Sequence, residues 1–141
     1  VINFLANKEG INFSSFIVLQ PTSPLRLVKD INEAIKIFRK KKADSVVSFC
    51  KAKPLEWHRY FKKDGSFYSV YKKNRISNSS NINNYLLNGS IYIFRTSFMN
   101  KNITYNNKSF SYVMPKERSV DIDDIDDLKN ARFLISKKIK K

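Results

Sequence analysis

Apolar and polar positions along this chain fall into blocks whose spacing alternates between strand and helix. Residues 16–19 and 45–50 are short apolar runs, which predict strands buried on both faces. Residues 28–41 repeat apolar side chains every three or four positions with basic residues opposite, which predicts an amphipathic helix. The predicted buried face of this helix consists of Val28, Ile31, Ile35 and Phe38. The three blocks together predict a βαβ unit.

The middle of the chain differs from the first third in its residue types, with aromatic-rich runs and an Asn/Ser-rich segment. Asp64-Gly65 separates two aromatic-rich runs, residues 57–61 and 67–71, and predicts a β-hairpin. An Asn/Ser-rich loop is expected at residues 77–84. We expect this part to leave the main sheet as an antiparallel excursion. Its aromatic side chains then either contact a second subunit or pack on their own domain.

The strand and helix pattern resumes in the last third of the chain. Strands are predicted at residues 90–95, directly after Asn88-Gly89, and at residues 109–114. A closing helix is expected at residues 124–138. The alternation of both element types predicts an α/β fold.

The first apolar run ends in a polar loop that two prolines make rigid. Pro21 and Pro24 fix their own φ and bias the residues before them away from helix. Ligands of open α/β sheets bind at the carboxyl ends of strands, so we expect a binding loop here. Its polar side chains are Gln20, Thr22, Ser23 and Arg26.

Acidic residues concentrate just ahead of the closing helix. Asp121 and Asp123 alternate with aliphatic residues, so an extended backbone would place both carboxylates on one face. Two such carboxylates repel each other unless a cation neutralises them, and oxygen-only ligands suit Mg²⁺. The favoured interpretation is therefore a metal pair. Capping of the last helix is favoured for the remaining acids, Asp124, Asp126 and Asp127.

Composition narrows the function classes. The 141 residues are 42% hydrophobic, which suits one domain with a core, and no apolar run approaches a membrane span. The net charge of +15 does not predict nucleic-acid binding, because the basic clusters do not alternate with aromatic residues. The single cysteine, Cys50, excludes an internal disulfide and fits a reducing cytoplasm. His58, the only histidine, is interpreted as a hairpin residue.

Three motifs now occur in order. They are Leu19-Gln20-Pro21-Thr22-Ser23-Pro24-Leu25-Arg26, Asn88-Gly89-Ser90-Ile91-Tyr92-Ile93, and Ser119-Val120-Asp121-Ile122-Asp123 followed by Asp127-Leu128. Together they resemble the CMP-sialic acid synthetases, the acylneuraminate cytidylyltransferase family, over essentially the whole chain. The resemblance implies a Rossmann-like α/β sandwich of the nucleotide-diphospho-sugar-transferase kind. Residues 1–141 are then part of one cytidylyltransferase domain, and residues 51–87 are a hairpin excursion that supports a homodimer.

The resemblance also implies an activity. The anomeric hydroxyl of a nonulosonic (sialic-type) sugar acid attacks the α-phosphate of CTP, which gives a CMP-sugar and pyrophosphate. Asp121 and Asp123 are then the catalytic residues and the ligands of Mg²⁺. The implied substrate-binding residues are Gln20, Asn88 and Tyr92, together with Thr22, Ser23 and Arg26, which shape the loop.

Departures from the family pattern keep alternatives open. The family's Gly/Ser/Lys/Arg-rich CTP loop is expected ahead of Val1, and these 141 residues alone are expected to be inactive. Residues 55–57 and 77–80 differ from the family near the sugar, so legionaminate or pseudaminate is as plausible as sialate. Two alternative functions also remain open. One is a 3-deoxy-manno-octulosonate cytidylyltransferase, and the other is a non-catalytic remnant that dimerises or binds polyanions.

Overall fold

A four-stranded mixed sheet forms the centre of the structure, a computed structural model that describes residues 4, 7–8, 10, 12–54, 57–70, 84–98 and 105–139. The sheet order is β1-β5-β2-β6, and β5 runs antiparallel to both of its neighbours while β6 runs parallel to β2. The carboxyl ends of β1, β2 and β6 therefore lie at the same edge of the sheet. In chain order the strands are β1 (Ser15–Val18), β2 (Ser45–Lys51), β3 (Arg59–Phe61), β4 (Phe67–Ser69), β5 (Tyr85–Arg95) and β6 (Ser109–Met114).

The predicted βαβ unit is present in a split form. The helix α1 (Val28–Lys40) connects β1 to β2, but β5 lies between these two strands. Both interior strands are apolar and buried, with Ile91 and Ile93 in β5 and Val46 and Val47 in β2. The α/β class is confirmed, with a mixed sheet in place of a simple parallel pair.

The prediction that the first strand is buried on both faces is wrong. Ile17, Val18 and Leu19 are each about 40% exposed, because among the described residues only β5 pairs with β1, which is therefore an edge strand there. The apolar run of residues 16–19 therefore marks a strand correctly but not its burial.

The core lies between α1 and one face of the sheet. Its fully buried members are Ala34, Ala43, Val46, Ile91, Ile93 and Met114. Ile31, Ile35 and Phe38 of the predicted helix face pack against this cluster as expected. Val28 does not, since it is 73% exposed at the start of α1. The second helix, α2 (Ile125–Ile139), closes the chain and buries Ala131.

The predicted hairpin is confirmed. The strands β3 and β4 form a separate two-stranded antiparallel sheet, and Gly65 takes a φ of +83° in the turn between them. All six strand residues are exposed, including the pair Tyr60 and Tyr68, whose rings are tilted by 36° with their centroids 5.3 Å apart. The hairpin strands thus do not contribute to the core.

Several predicted features lie wholly or partly outside the described residues. They are the family differences at residues 55–56 and 77–80, the loop at 77–84 and the end of the run 67–71. Within the described part of the chain, no helix has the length and apolarity that crossing a membrane requires.

Candidate active site

A wide bulge interrupts the pairing of β5 with β2. Phe49 pairs with Leu87 and Val47 pairs with Tyr92, so residues 88–91 of β5 lie opposite Ser48 alone. Asn88-Gly89 was predicted to precede a strand at residues 90–95, but it lies inside β5. Glycine within a strand often marks a bulge, because it adopts backbone conformations that other residues avoid. The bulge thus places the second sequence motif at the sheet centre.

The side chain of Asn88 is buried and holds the bulge in place. Its Oδ1 accepts hydrogen bonds from Ser48 Oγ at 2.6 Å and from the Ser90 backbone N–H at 3.3 Å. Its Nδ2 donates to Ser119 Oγ at 2.9 Å. Ser48 Oγ in turn accepts the backbone N–H of Ile91 at 2.7 Å. Asn88 therefore connects β2, β5 and the segment ahead of Asp121.

Gly89 lies at the point where Gln20 and Asp121 meet. A Cβ added to Gly89 would overlap Gln20 Oε1 and would lie 2.5 Å from Asp121 Oδ2. The carboxamide of the proline-flanked loop and the carboxylate of the third motif therefore share one small space beside the bulge. All three sequence motifs contribute to it.

The proline-flanked loop is fixed to both other motifs. Arg26 Nη1 donates to the Ser90 carbonyl in the bulge at 2.9 Å, and buried Ser23 makes a longer bond of 3.4 Å to the Asn88 carbonyl. The Thr22 carbonyl accepts the backbone N–H of Ile122 at 2.9 Å. The loop is thus held by the side chains of Ser23 and Arg26 and by the backbone carbonyl of Thr22.

The acidic segment is irregular rather than a strand. Residues 119–124 form neither helix nor strand, so the strict alternation of faces that the sequence predicts does not apply. Asp121 is half-buried and Asp123 is exposed. The hydrogen bond between Ile122 and Thr22 sets the position of this segment against the loop.

The capping interpretation of the following acids is correct for two of the three. Asp124 Oδ1 accepts the backbone N–H groups of Asp126 and Asp127, both at 2.9 Å, as an N-cap does. Asp127 Oδ2 accepts a hydrogen bond from the backbone N–H of Asp123 at 3.1 Å. Asp126 instead forms an exposed ion pair with Lys129. Asp121 and Asp123 are thereby left outside the cap.

A buried ion pair anchors the acidic segment from its other end. Arg118 donates to both oxygens of the fully buried Asp30, at 2.6 and 3.0 Å. Tyr112 and the Leu27 backbone N–H also donate to this carboxylate. Burial opposes ionisation of Asp30, but these four hydrogen bonds outweigh it and hold its pKa below the usual value.

Tyr92 is a half-buried residue of β5 whose hydroxyl pKa is affected by the charge of Asp121. Burial raises the pKa of its hydroxyl, and the charges of Tyr105 and Asp121 raise it further. The hydroxyl is therefore protonated at neutral pH and able to donate a hydrogen bond. Its ring stacks on Phe94.

The donor set suits a hard cation. Asp121 Oδ1 is buried and has no hydrogen-bond partner among the described residues, which is rare for a carboxylate oxygen unless an ion or water binds it. No group of three or more Asp, Glu, His or Cys side chains lies together in the described ranges. The Asp121 carboxylate and the Gln20 amide oxygen, which meet beside Gly89, are oxygen ligands of the kind that Mg²⁺ takes together with waters and phosphate oxygens. The residues present therefore fit the predicted ion.

Sequence reasoning missed four residues that hold this site together. Ser48 and Ser119 bond the Asn88 amide, and Asp30 and Arg118 fix the acidic segment. Two of these residues could have been found from the positions of polar side chains in the sequence. Ser48 is a polar residue within an apolar strand, and Arg118 is a charged residue directly before the third motif.

Two adjoining clefts open at this edge of the sheet. The first, of about 590 Å³, is lined by Asp121, Asp127, Glu117 and part of α2. The second, of about 440 Å³, adjoins it through Cys50, Leu86 and Lys116, which line both. Volumes of roughly 300–1,000 Å³ are typical of small-molecule sites.

Comparison with known proteins supports the sequence motifs. The chain is 32% identical over 136 residues to the N-acylneuraminate cytidylyltransferase of Escherichia coli O18:K1:H7 (strain RS218 / NMEC), a match that covers 90% of this chain and 31% of that protein. It is 29% identical over 131 residues to post-translational flagellin modification protein B of Campylobacter coli, which covers 89% of this chain and 54% of that protein. No protein-family model matches the chain.

The chain spans about a third of the length of the first relative and about half of the second. Both matches nevertheless cover nearly all of this chain, including all three motifs that meet at Gly89. The resemblance to the acylneuraminate cytidylyltransferase family is thus confirmed by sequence homology over about nine-tenths of the chain.

Proposed function

We propose that the protein containing this chain is a magnesium-dependent cytidylyltransferase that activates a nonulosonic sugar acid with CTP. The sugar's anomeric oxygen forms a bond to the α-phosphorus of CTP. The bond from that phosphorus to the bridging oxygen of the β-phosphate breaks, and pyrophosphate leaves. The hydroxyl proton passes to solvent or to a base.

One observation carries the proposal. The residues of three motifs far apart in sequence meet within side-chain contact of Gly89, and Gln20 and Asp121 come from two different motifs. This convergence lies just past the carboxyl end of β1, whose last residue pairs with Tyr92, and ligands of α/β sheets bind outside the carboxyl ends of strands. Homology to an N-acylneuraminate cytidylyltransferase supports the reaction class.

Each residue has a role in the proposed reaction. Asp121 and Asp123 would hold Mg²⁺, which supplies charge neutralisation for the phosphates when bound. The Gln20 amide, close to Asp121, would orient the sugar acid. The protonated hydroxyl of Tyr92 would donate a hydrogen bond to substrate oxygen. Transfer of this kind depends on positioning and charge stabilisation, which this arrangement suits.

Asn88 is proposed to act differently from the sequence expectation. Its side-chain oxygen and nitrogen already bond to protein groups, and the residue is 4% exposed. We therefore assign it to positioning Gly89 and Ser119 rather than to contact with the sugar.

The direct test is formation of the CMP-sugar by the full-length protein from CTP and a sugar acid. Asp123→Ala is expected to lower the rate on the order of 100-fold or more, because the metal pair is lost. Asp126→Ala is the matched control, since Asp126 lies nearby and is 80% exposed in its pair with Lys129. An Asp123→Ala rate within about threefold of wild type contradicts the metal role.

A panel of sugar acids tests the substrate class. The name of the Campylobacter coli relative concerns flagellin modification, so the panel should include legionaminate and pseudaminate beside N-acetylneuraminate. Turnover of 3-deoxy-manno-octulosonate alone would favour the alternative that the protein is a 3-deoxy-manno-octulosonate cytidylyltransferase. Binding of sugar acid without turnover of any member would favour a non-catalytic remnant.

A homodimer built through the hairpin is proposed as well. Trp57, Phe61 and Phe67 are each more than 60% exposed, which is unusual for aromatic side chains on a lone surface. The mass in solution, measured by light scattering, is expected to be that of two chains. Phe61→Ser combined with Phe67→Ser is expected to give the mass of one, and an unchanged mass contradicts this interface.

A further inference from the structure

We propose that Arg118 is a positioning residue for the candidate cation site, and that it acts through its ion pair with Asp30. The pair fixes the acidic segment against the proline-flanked loop, and so sets where Asp121 lies relative to Gln20. The inference rests on the proposed function, and it adds a residue outside the three sequence motifs that controls how two of them meet.

Two segments of the chain lie against each other at this site. The first, residues 20–30, consists of the proline-flanked loop and the start of α1. The second, residues 118–123, begins at the end of the 3₁₀ turn Lys116–Arg118 and continues as irregular backbone. The segments approach each other at three places, which are Gln20 with Asp121, Thr22 with Ile122, and Asp30 with Arg118.

The contact between Asp30 and Arg118 is the most directional of the three. Arg118 Nη2 donates to Asp30 Oδ1 at 2.6 Å and Nε donates to Oδ2 at 3.0 Å, so both carboxylate oxygens are held. The Asp30 side chain is fully buried, and that of Arg118 is 18% exposed. Charged bonds in such a fork are stronger than neutral ones and also fix the orientation of the two groups. The pair therefore sets both the distance and the angle between the segments.

Asp121 depends on its neighbours in sequence for its position. Its Oδ1 has no hydrogen-bond partner among the described residues, and it lies in neither a helix nor a strand. Ser119 and Ile122 bond to other parts of the site, and Arg118 fixes the direction from which the chain enters it. Since a misplacement of about 1 Å at a reacting site can cost on the order of 100-fold in rate, a shift of Arg118 reaches the cation site.

Tyr112 offers a means to separate positioning from stability. Its hydroxyl donates to the same Asp30 carboxylate at 2.8 Å, but Tyr112 belongs to β6, whose place is set by pairing with β2. Tyr112→Phe therefore removes a hydrogen bond from Asp30 without releasing residues 118–123. Arg118→Lys keeps the positive charge but loses the fork that holds those residues.

Binding of Mn²⁺ alone to the full-length protein tests the inference without turnover. Mn²⁺ takes the same oxygen ligands as Mg²⁺, and the free ion is measured by electron paramagnetic resonance. Arg118→Lys is expected to raise the Kd for Mn²⁺ about tenfold, because the groups that orient metal ligands contribute this much to affinity. Tyr112→Phe is the matched control and should stay within about threefold of wild type. Urea unfolding gives the stability that each variant loses.

Hydrogen exchange at the Ile122 amide provides a second measurement that needs no metal. This N–H donates to the Thr22 carbonyl at 2.9 Å, so its exchange reports how well the two segments stay together. We expect exchange about tenfold faster in Arg118→Lys than in Tyr112→Phe. Equal exchange in the two variants overturns the inference.

A double variant tests whether the two partners act through one contact. Asp30→Asn combined with Arg118→Lys should bind Mn²⁺ about as weakly as the weaker single variant, because either substitution already breaks the fork. Losses that multiply in the double variant contradict a shared route.

Failure of this inference differs from failure of the proposed function. A wild-type protein that forms CMP-sugar, while Arg118→Lys matches it in Mn²⁺ affinity and in Ile122 exchange, overturns the positioning role alone. A wild-type protein that binds no Mn²⁺ and forms no CMP-sugar contradicts the proposed function. The exchange at Ile122 then decides whether Arg118 positions the acidic segment.

Discussion

Gly89 and Asp121 lie so close together that no side chain fits between them. A Cβ at Gly89 would be 2.5 Å from Asp121 Oδ2, and Gly89 also takes a φ of +69°. Both constraints arise from the bulge in β5, where residues 88–91 lie opposite Ser48 alone. The bulge and the candidate metal site are therefore one structural unit.

Gly89→Ala is expected to damage stability and activity together. The left-handed φ alone costs about 1–2 kcal/mol in the free energy of unfolding. The added methyl must also push Asp121 or Gln20 aside, and such a displacement lowers the rate on the order of 100-fold. Urea unfolding and CMP-sugar formation measure the two effects.

Gly65→Ala provides the matched control for this substitution. Gly65 has a similar φ of +83°, but nothing lies within 4 Å of an added Cβ in the hairpin turn. We expect a similar loss of stability with the rate unchanged. Equal losses of rate in Gly65→Ala and Gly89→Ala would show that crowding at Asp121 is irrelevant.

Asn88→Ala is expected to separate a positioning role from sugar contact. The substitution removes the acceptor of two buried donors, the Ser48 hydroxyl and the Ser90 N–H, which costs about 2 kcal/mol of unfolding free energy. We expect kcat to fall more than KM for the sugar acid rises. Asn32→Ala, on the exposed side of α1, is the control. Unchanged stability with a raised KM would restore the substrate-contact role.

The elements that local pattern determines could be predicted from the sequence. The helix α1 follows from apolar spacing, β2 from a short apolar run, and the β3–β4 turn from Asp64-Gly65. The side chains of the candidate site also came from motifs, and Gln20 and Asp121 do meet in space.

The features that long-range pairing determines could not be predicted. β5 inserts between β1 and β2, and no local pattern specifies which strands become neighbours. Asn88-Gly89 reads locally as a turn, so its place inside a strand was missed. The Asp30–Arg118 pair joins residues 88 positions apart, and ion pairs leave no periodic signal. The burial expected of β1 was wrong because strand position in the sheet was unknown.

Lys42→Gly is expected to stabilise the protein. Lys42 has a φ of +46° just after α1, where its N–H bonds the Arg39 carbonyl and the Ala43 N–H bonds the Phe38 carbonyl. This is a Schellman motif, whose left-handed position favours glycine. We expect a gain of about 1 kcal/mol in unfolding free energy. Lys41→Gly, at a right-handed φ of −86°, should destabilise instead, and a gain there would contradict the explanation.

The Asp30 carboxylate links stability to pH. It is fully buried, and its hydrogen bonds from Arg118, Tyr112 and the Leu27 backbone keep its pKa below the usual value. A carboxyl group with a lowered native pKa stabilises the fold fully above its unfolded pKa, about 3.9. That contribution is lost as the pH falls from there through the native pKa. Burial and the bond to Asp30 likewise raise the pKa of Tyr112 to about 12, so its hydroxyl remains a donor throughout.

Asp30→Asn is therefore expected to lower the free energy of unfolding by about 3–5 kcal/mol at pH 7, because Arg118 loses its buried partner. The difference from wild type should shrink as the pH falls below about 4, where the carboxylate of the unfolded wild type takes up a proton while the native one is still ionised. Urea unfolding between pH 3 and 7 measures both quantities. Asp126→Asn, an exposed carboxylate, should show a small difference at every pH. A deficit in Asp30→Asn that stays constant with pH would contradict the charged pair as its source.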